Sequence, residues 1–408
     1  MLAVVVGIAS LPRVVVLGGT GRIGTAVATH LMQTAESGLD VVISGRDTDR
    51  GGAAVQEVLS DVGSCDSTVR YSPLDWRDPA ALQSALVGTA AVIHTAGPYS
   101  GESPDVLAAA IKARVPVYVD LSDPVDYLEA AAALDADARE AGTLALCAAG
   151  AFPGLSNVLA MECASRLGAR AIRDVDFNYF TAGLGGSGDI NLYITNEGFG
   201  DPVPVFRGGQ YSPQLDAGSG ARTVRFYLRE CGEAYERVGE RTVWNWPFPE
   251  GSTVARQLGI SGDSSVGMGT SPELWNQIMG LMVSVVPRAW WKSKGFSMGL
   301  AKFSKPLVAL TDRFVGETHA MRVDVTAEDG SRSAAVQSHR SFRRIVGQSC
   351  ATFTEALLSG RGSSLPASGV FLPEALFEPP EARRALLERL LTVEGTIDYE
   401  FEVQEQSA

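Results

Sequence analysis

With 408 residues the chain has room for two domains of about 100–200 residues each, and 45% hydrophobic against 20% charged residues excludes a disordered chain. The net charge of −13 excludes a general nucleic-acid binder, whose footprint is a basic domain. Five scattered cysteines without a Cys-x-x-Cys pair, together with four scattered histidines, make neither a disulfide framework nor a metal centre, so no metal is expected and a reducing compartment is.

The opening MLAVVVGIASLP is apolar but has no basic start, and it reads as a β-strand or the extension of one and not as a signal peptide. No apolar run reaches the roughly 18 residues that a spanning helix needs. A cytoplasmic protein is expected, the alternative being an organellar (for example plastid) protein peripheral to a membrane. From residue 13 to about 150, apolar strands at 13–17, 41–44, 69–72, 91–95, 117–120 and 144–147 alternate with amphipathic helices at 23–33, 79–86, 104–113 and 125–140. Strands that are apolar throughout are buried on both faces, and parallel strands need long crossovers. The pattern therefore predicts an α/β domain with a doubly wound parallel sheet of the Rossmann type.

The first strand runs into GGTGRIG, where Gly19, Gly21 and Gly24 form G-x-G-x-x-G between a strand and a helix. Gly19 permits the tight turn, Gly21 lets the backbone approach a pyrophosphate, and Gly24 lets the helix pack closely. With Thr20, Arg22 and Ile23 they form a dinucleotide cradle at a helix N-terminus, whose amide groups and dipole favour phosphate. An NAD site places Asp or Glu at the end of the second strand, but VVISGRD supplies Ser44, Gly45 and Arg46. An arginine without a preceding carboxylate suits a 2′-phosphate, so NADP is the expected cofactor, with Arg22 as a second cation and Asp47 as a competing partner for Arg46. After the third strand, Asp75 of LDWRD is placed to contact adenine or to cap a helix. After the fourth, Ala96 and Gly97 of HTAGPYS leave room for the cofactor, and His94 reads as a core histidine.

Hydride transfer needs a proton donor or acceptor beside the nicotinamide. None of the ten tyrosines has lysine four residues on, which excludes the Tyr-x-x-x-Lys arrangement of short-chain reductases. Candidates at the carboxyl ends of strands four to six are Tyr99 as a proton donor, Asp120 as a base or orienting group, Asp123, and Phe152-Pro153-Gly154. Tyr99 and Asp120 also admit a structural reading, as a ring packed under the cofactor and a turn cap.

A helix is expected at 158–167. Residues 172–250 are then rich in β-branched and aromatic residues, as in a mixed or antiparallel sheet, and the glycine loop GLGGSGD (183–189) is a further candidate for the site. Residues 273–310 hold three of the six tryptophans and four of the five lysines with one carboxylate, Glu273. That is the composition of an interfacial helix or of a docking surface, with Trp290, Trp291, Lys292, Lys294, Lys302 and Lys305 as its contacts, although a helical pair covering the domain reads the same way. A hairpin about EDG (328–330), a helix ended by Gly360, a further helix and a final strand complete the chain.

The stretches VVVLGGTGRIG, VVISGRD, HTAGPYS, YVDLSD (118–123) and AAGAFPGLSNVLA (148–160), with SGVFLPE (368–374) near the end, together resemble the saccharopine dehydrogenase-like family. The likeness is best over the first 160 residues. It implies an NADP-binding Rossmann domain at 1–150, an inserted α+β domain at 151–340, and C-terminal helices (about 341–408) that return to the first domain. It also implies NADP-dependent hydride transfer to or from a small or lipid-like substrate in the cleft between domains. Saccharopine itself carries several carboxylates and calls for junction arginines; Arg173, Arg207 and Arg222 are available, but no spacing singles them out, so saccharopine oxidation is not expected. The alternative is a non-catalytic Rossmann scaffold attached to a membrane or a large complex through residues 273–306, and a homodimer remains open.

Overall fold

The computed structural model describes residues 11–183 and 189–406. The expected N-terminal strand falls almost wholly outside them, as does the interior of the glycine loop 183–189. The first half runs through β1 (Arg13–Leu17), α1 (Arg22–Thr34), β2 (Asp40–Gly45), α2 (Thr48–Asp61), β3 (Thr68–Pro73), α3 (Pro79–Leu86), β4 (Ala91–His94), α4 (Asp105–Lys112) and β5 (Val117–Asp120). It closes with α5 (Val125–Ala132), α6 (Asp135–Ala141), β6 (Leu144–Leu146) and α7 (Leu155–Arg166).

The strands stand in the order β6-β5-β4-β1-β2-β3, and every neighbouring pair is parallel. Alternation explains the two helical layers. Val14 and Val16 of β1 enter one core layer while Val15 and Leu17 enter the other, all at most 2% exposed. Full burial of such a side chain contributes about 1.5–3 kcal/mol, so a strand apolar on both sides is stable only between two layers.

The second half contains β7 (Ile172–Ala182), α8 (Asp189–Gly198), β8 (Phe206–Arg207), β9 (Gln210–Tyr211), β10 (Arg222–Arg225), α9 (Gly232–Arg237), β11 (Glu240–Asn245), α10 (Glu250–Leu258) and β12 (Ser264–Ser271). Three helices follow: α11 (Glu273–Val285), α12 (Arg288–Trp291) and α13 (Lys294–Val315). Next come β13 (Thr318–Ala327), β14 (Arg332–His339), α14 (Phe342–Gly360), β15 (Gly369–Phe371), α15 (Pro373–Leu376), α16 (Pro380–Leu390) and β16 (Thr396–Gln404). The second sheet is mixed, in the order β10-β11-β12-β7-β13-β14-β16, with β7 and β12 its parallel pair. The EDG hairpin joins β13 to β14 and turns at Gly330, whose φ of +83° suits glycine.

α7 packs on β7, β13 and β14 of the second sheet and is buried along nearly its whole length, so that its polar Ser156, Asn157 and Glu162 need partners inside the protein. Its buried Glu162 is paired with Arg166 and with the equally buried Arg383 of α16, both at 3.0 Å. The returning C-terminal part divides. α14 packs on α1, where a Cβ added to Gly347 would lie 2.5 Å from Cβ of Ala26, and β15 extends the first sheet beside β6. The last strand, β16, was expected with the first domain but pairs with β14 in the second sheet, because its partner edge is there.

Candidate functional site

The turn after β1 is built from close approaches. Gly18 sits at a φ of +76°, and the Gly19 amide donates to the carbonyls of Val16 (3.2 Å) and Ser44 (3.1 Å). A Cβ on Gly19 would meet Ile43 Cγ2 at 2.7 Å, and one on Gly24 would meet the Gly18 carbonyl oxygen at 2.5 Å. These two glycines let strand, turn and helix touch. Gly21 differs, since a Cβ there would meet a single atom, the Gly18 oxygen at 3.1 Å. As the N-cap of α1 it supplies no side-chain acceptor to the first-turn amides, and no acid sits in that turn. The uncapped amides, with the partial positive charge of the helix end, fit a pyrophosphate.

At the end of β2, Ser44 is buried and contributes its carbonyl, not its hydroxyl, to the turn. Gly45 lies against Thr20, whose Oγ1 a Cβ would meet at 2.7 Å. Arg46 is exposed and makes no ion pair among the described residues, because Asp47 caps α2 by accepting from the amides of Asp49 and Arg50 at 3.1 Å. The competition expected between Arg46 and Asp47 is therefore absent, and a free guanidinium stands beside the glycine turn. Arg22 is half-buried, which lowers its pKa, and its charged neighbours include Glu317, Arg343, Asp312 and Glu57. Asp75 is exposed and accepts from the Arg77 amide (3.1 Å), while the helix cap is Asp78. Ala96 passes so close to the turn that a Cβ on Gly18 would meet its nitrogen at 2.8 Å.

Beyond Ile23 and Gly97 a cavity of about 860 Å³ opens between the carboxyl ends of β4 and β5 and the second sheet. Its walls are largely aromatic and apolar, including Phe152, Trp244, Trp246, Phe248, Met268 and Trp275. Phe152 is stacked on Tyr179 with centroids 4.3 Å apart and makes an edge contact with Phe248. Among the described residues the cavity contains one basic side chain, Lys292, and its Nζ is paired with Asp201 at 2.6 Å.

Of the expected catalytic pair, Tyr99 lines the cavity and Asp120 does not. Asp120 is wholly buried and saturated: Oδ1 accepts from the Ser122 amide (3.1 Å), the Ser122 hydroxyl (2.6 Å) and the Ala148 amide (3.0 Å), and Oδ2 accepts from the Tyr118 hydroxyl (2.9 Å). It ties β5 to the turn after β6 and does not line the cavity. Tyr99 presents its ring to the cavity, but its hydroxyl donates to the His94 carbonyl (2.6 Å) and accepts from the Leu121 amide (3.3 Å), and burial holds its pKa far above the usual value. Among the described residues six acids line the cavity, Asp123, Asp126, Glu129, Glu197, Asp201 and Asp312; at Asp123, three residues past β5, burial together with the nearby Asp201 and Asp120 carboxylates pushes the pKa up to about 6. His94 is neutral, held down to about 3 by burial between Trp76 and Tyr99.

Arg173, Arg207 and Arg222 do not line the cavity. They bind Asp174, the Ser264 carbonyl, and Asn178 with Asn245. Of the basic aromatic segment, Trp291 is fully buried against Phe199 and Phe296, while Lys292 is exposed, lines the mouth of the cavity and pairs with Asp201. Trp290, Lys294, Lys302 and Lys305 are exposed. Asp201 and the Trp244–Trp246 wall were not anticipated. The period-two spacing of the two tryptophans at the end of a strand is the signal that would have marked them as sharing a face.

Residues 14–146 match the family model of the saccharopine dehydrogenase NADP binding domain, which supports NADP as the cofactor. In structure the chain is similar to saccharopine dehydrogenase (L-Glu forming) from Saccharomyces cerevisiae. The TM-score is 0.65 at 13% identity, and the match covers 96% of this chain and 100% of that one. A probable dehydrogenase from Thermotoga maritima aligns at a TM-score of 0.44 and 12% identity, over 92% of this chain and 93% of that one. A search of curated protein sequences found no match.

Proposed function

Because the chain is saccharopine dehydrogenase-like in its NADP-binding domain and in its fold, we propose that it is an NADP-dependent oxidoreductase acting on a bulky, largely apolar substrate in the cavity between its domains, with Asp123 as the proton donor. The observation that carries this reading is the cavity itself. It begins at Ile23 and Gly97, next to the cofactor turn, and its volume of about 860 Å³ is within the range of ligand pockets. Among the described residues its one basic group, Lys292, is already paired with Asp201, so no unpaired cation lines it to grip a substrate with several carboxylates. Aromatic and apolar walls favour a lipid-like carbonyl, imine or enone.

Gly19, Gly21 and Gly24 and the first-turn amides of α1 would hold the pyrophosphate, and Arg46 the 2′-phosphate. Bound there, NADPH supplies the hydride for the carbon of a polarised double bond. Asp123 holds the balancing proton and gives it to the atom that gains negative charge, then recovers one from water at the cavity mouth. Burial keeps that carboxyl protonated well above the usual range, as a general acid near neutrality requires. The ring of Tyr99 and the Phe152–Tyr179 stack orient the substrate by contact and exclude water. A non-catalytic scaffold would have no use for an open cavity at this end of the sheet.

The test is Asp123→Asn. A fall in kcat of about 100-fold or more, with NADPH affinity unchanged, is the expected outcome for loss of a general acid; an unaltered kcat would remove Asp123 from the mechanism.

A further inference from the structure

α11, α12 and α13 carry apolar side chains on their outer side. The side of α13 that faces the protein carries Ser297, Ala301, Ser304, Val308 and Asp312, mostly small or polar residues, and the last three line the cavity. Its opposite side carries Phe303, Leu307, Leu310 and Phe314, at i, i+4, i+7 and i+11, which is one stripe of a 3.6-residue helix. α11 repeats the spacing outward with Leu274, Ile278, Leu281 and Val285, and Trp290 of α12 stands 58% exposed between the two helices in sequence. Phe303 and Phe314 are 73% and 83% exposed. Nine of the sixteen large apolar side chains exposed among the described residues therefore fall between Leu274 and Phe314. A monomer rarely leaves such a surface to water.

Charge indicates what covers it. Residues 273–315 contain six basic residues (Arg288, Lys292, Lys294, Lys302, Lys305 and Arg313) against Glu273 and Asp312, a local +4 in a chain of −13. Lys302 and Arg313 flank the stripe of α13 on one side, each about a quarter-turn from it. Two copies meeting through this face would bring like charges together, whereas an anionic surface would meet both the stripe and its flank. We propose that the outward face of α11, α12 and α13 is a docking surface for an anionic lipid bilayer, on which the protein lies without crossing it. Among the described residues no helix is long and apolar enough to span. Aromatic and aliphatic residues on one side with lysine and arginine beside them are what an interfacial helix requires. The inner faces of the same helices wall the cavity through Trp275, Met279 and Val308, so a single layer of helix separates the docked surface from the substrate site.

Vesicle flotation of the full chain tests this without any catalytic readout, and so independently of the oxidoreductase reading. Binding is expected to vesicles with about one-third phosphatidylglycerol, weaker binding to phosphatidylcholine alone, and a decline with salt. Phe303→Glu with Phe314→Glu should reduce binding about tenfold or more. Lys302→Glu and Arg313→Glu should each reduce it about fivefold, and only on the anionic vesicles. NADPH affinity, unchanged in every variant, reports that the fold is intact. Absence of flotation by the wild-type chain would overturn the proposal. So would a dimer in light scattering that Phe303→Glu dissociates, since it would assign the face to a second copy.

Discussion

Arg46→Ala should separate NADPH from NADH. The guanidinium is exposed beside the glycine turn and has no ion-pair partner among the described residues, so its removal disturbs no internal contact and the apo melting temperature should stay within about 1 °C. A hydrogen bond to a charged group is worth about 1.5–3 kcal/mol, and solvent screening at an exposed site favours the lower end. Taking about 1.5–2 kcal/mol, the Kd for NADPH should rise about 10- to 30-fold, since about 1.4 kcal/mol is tenfold. NADH, which lacks the 2′-phosphate, should bind equally well to both proteins. Titration calorimetry with the two cofactors at low and high salt reads this directly, and the wild-type preference for NADPH should shrink with salt. An equal loss for both cofactors, or none for NADPH, would refute the assignment of Arg46 to the phosphate.

Three other outcomes follow from the geometry. Gly24→Ala forces a Cβ to 2.5 Å from the Gly18 oxygen and should cost about 1–3 kcal/mol in chemical denaturation, as overpacking does; Gly21→Ala meets one atom at 3.1 Å and should keep its stability while losing NADPH affinity. With Asp123 as general acid, kcat for reduction should be level at low pH and fall above about pH 6, and Asp123→Asn should remove that limb from the pH profile. Glu250 is buried beneath Tyr179 and Ser156, whose hydroxyls donate to it at 2.6 and 3.1 Å, and burial raises its carboxyl from 4.5 to about 7. The folded state thus binds the proton more tightly, and the stability this provides is complete below pH 4.5 and is lost as pH rises through 7, by about 3 kcal/mol at most. The difference between wild type and Glu250→Gln in denaturant midpoints at pH 5 and pH 8 isolates it, and a difference independent of pH would contradict it.

The first domain was legible because its rules are local. Valines that alternate between two helical layers in β1, β2, β4 and β5, and glycines at fixed offsets, specify strand, turn and helix from short stretches of chain. The cavity was not legible, since Phe152, Trp244, Phe248 and Met268 come together only through the second sheet. Asp120 and Tyr99 stood where a doubly wound sheet places its ligand, yet Ser122, Ala148 and Tyr118 saturate the carboxylate, and no spacing announces the Ala148 amide, 28 residues away. Lys292 illustrates the same limit: its stretch is basic and interfacial in composition, and no spacing announces Asp201, 91 residues earlier, as its partner. For β16, the alternating pattern marked a strand, and only the edge left open by β14 decided its sheet.

The central claim is that the cavity beside the NADP turn accepts a bulky apolar substrate for hydride transfer. The most direct measurement is the loss of NADPH absorbance when the full chain is supplied with long-chain and polycyclic carbonyl, imine and enone compounds, run alongside saccharopine with NADP. Consumption of NADPH with an apolar substrate, slowed about 10- to 30-fold in Arg46→Ala at limiting cofactor and about 100-fold or more in Asp123→Asn at saturating cofactor, is the predicted result. Tight NADPH binding without turnover of any of them, or turnover of saccharopine in their place, would contradict it.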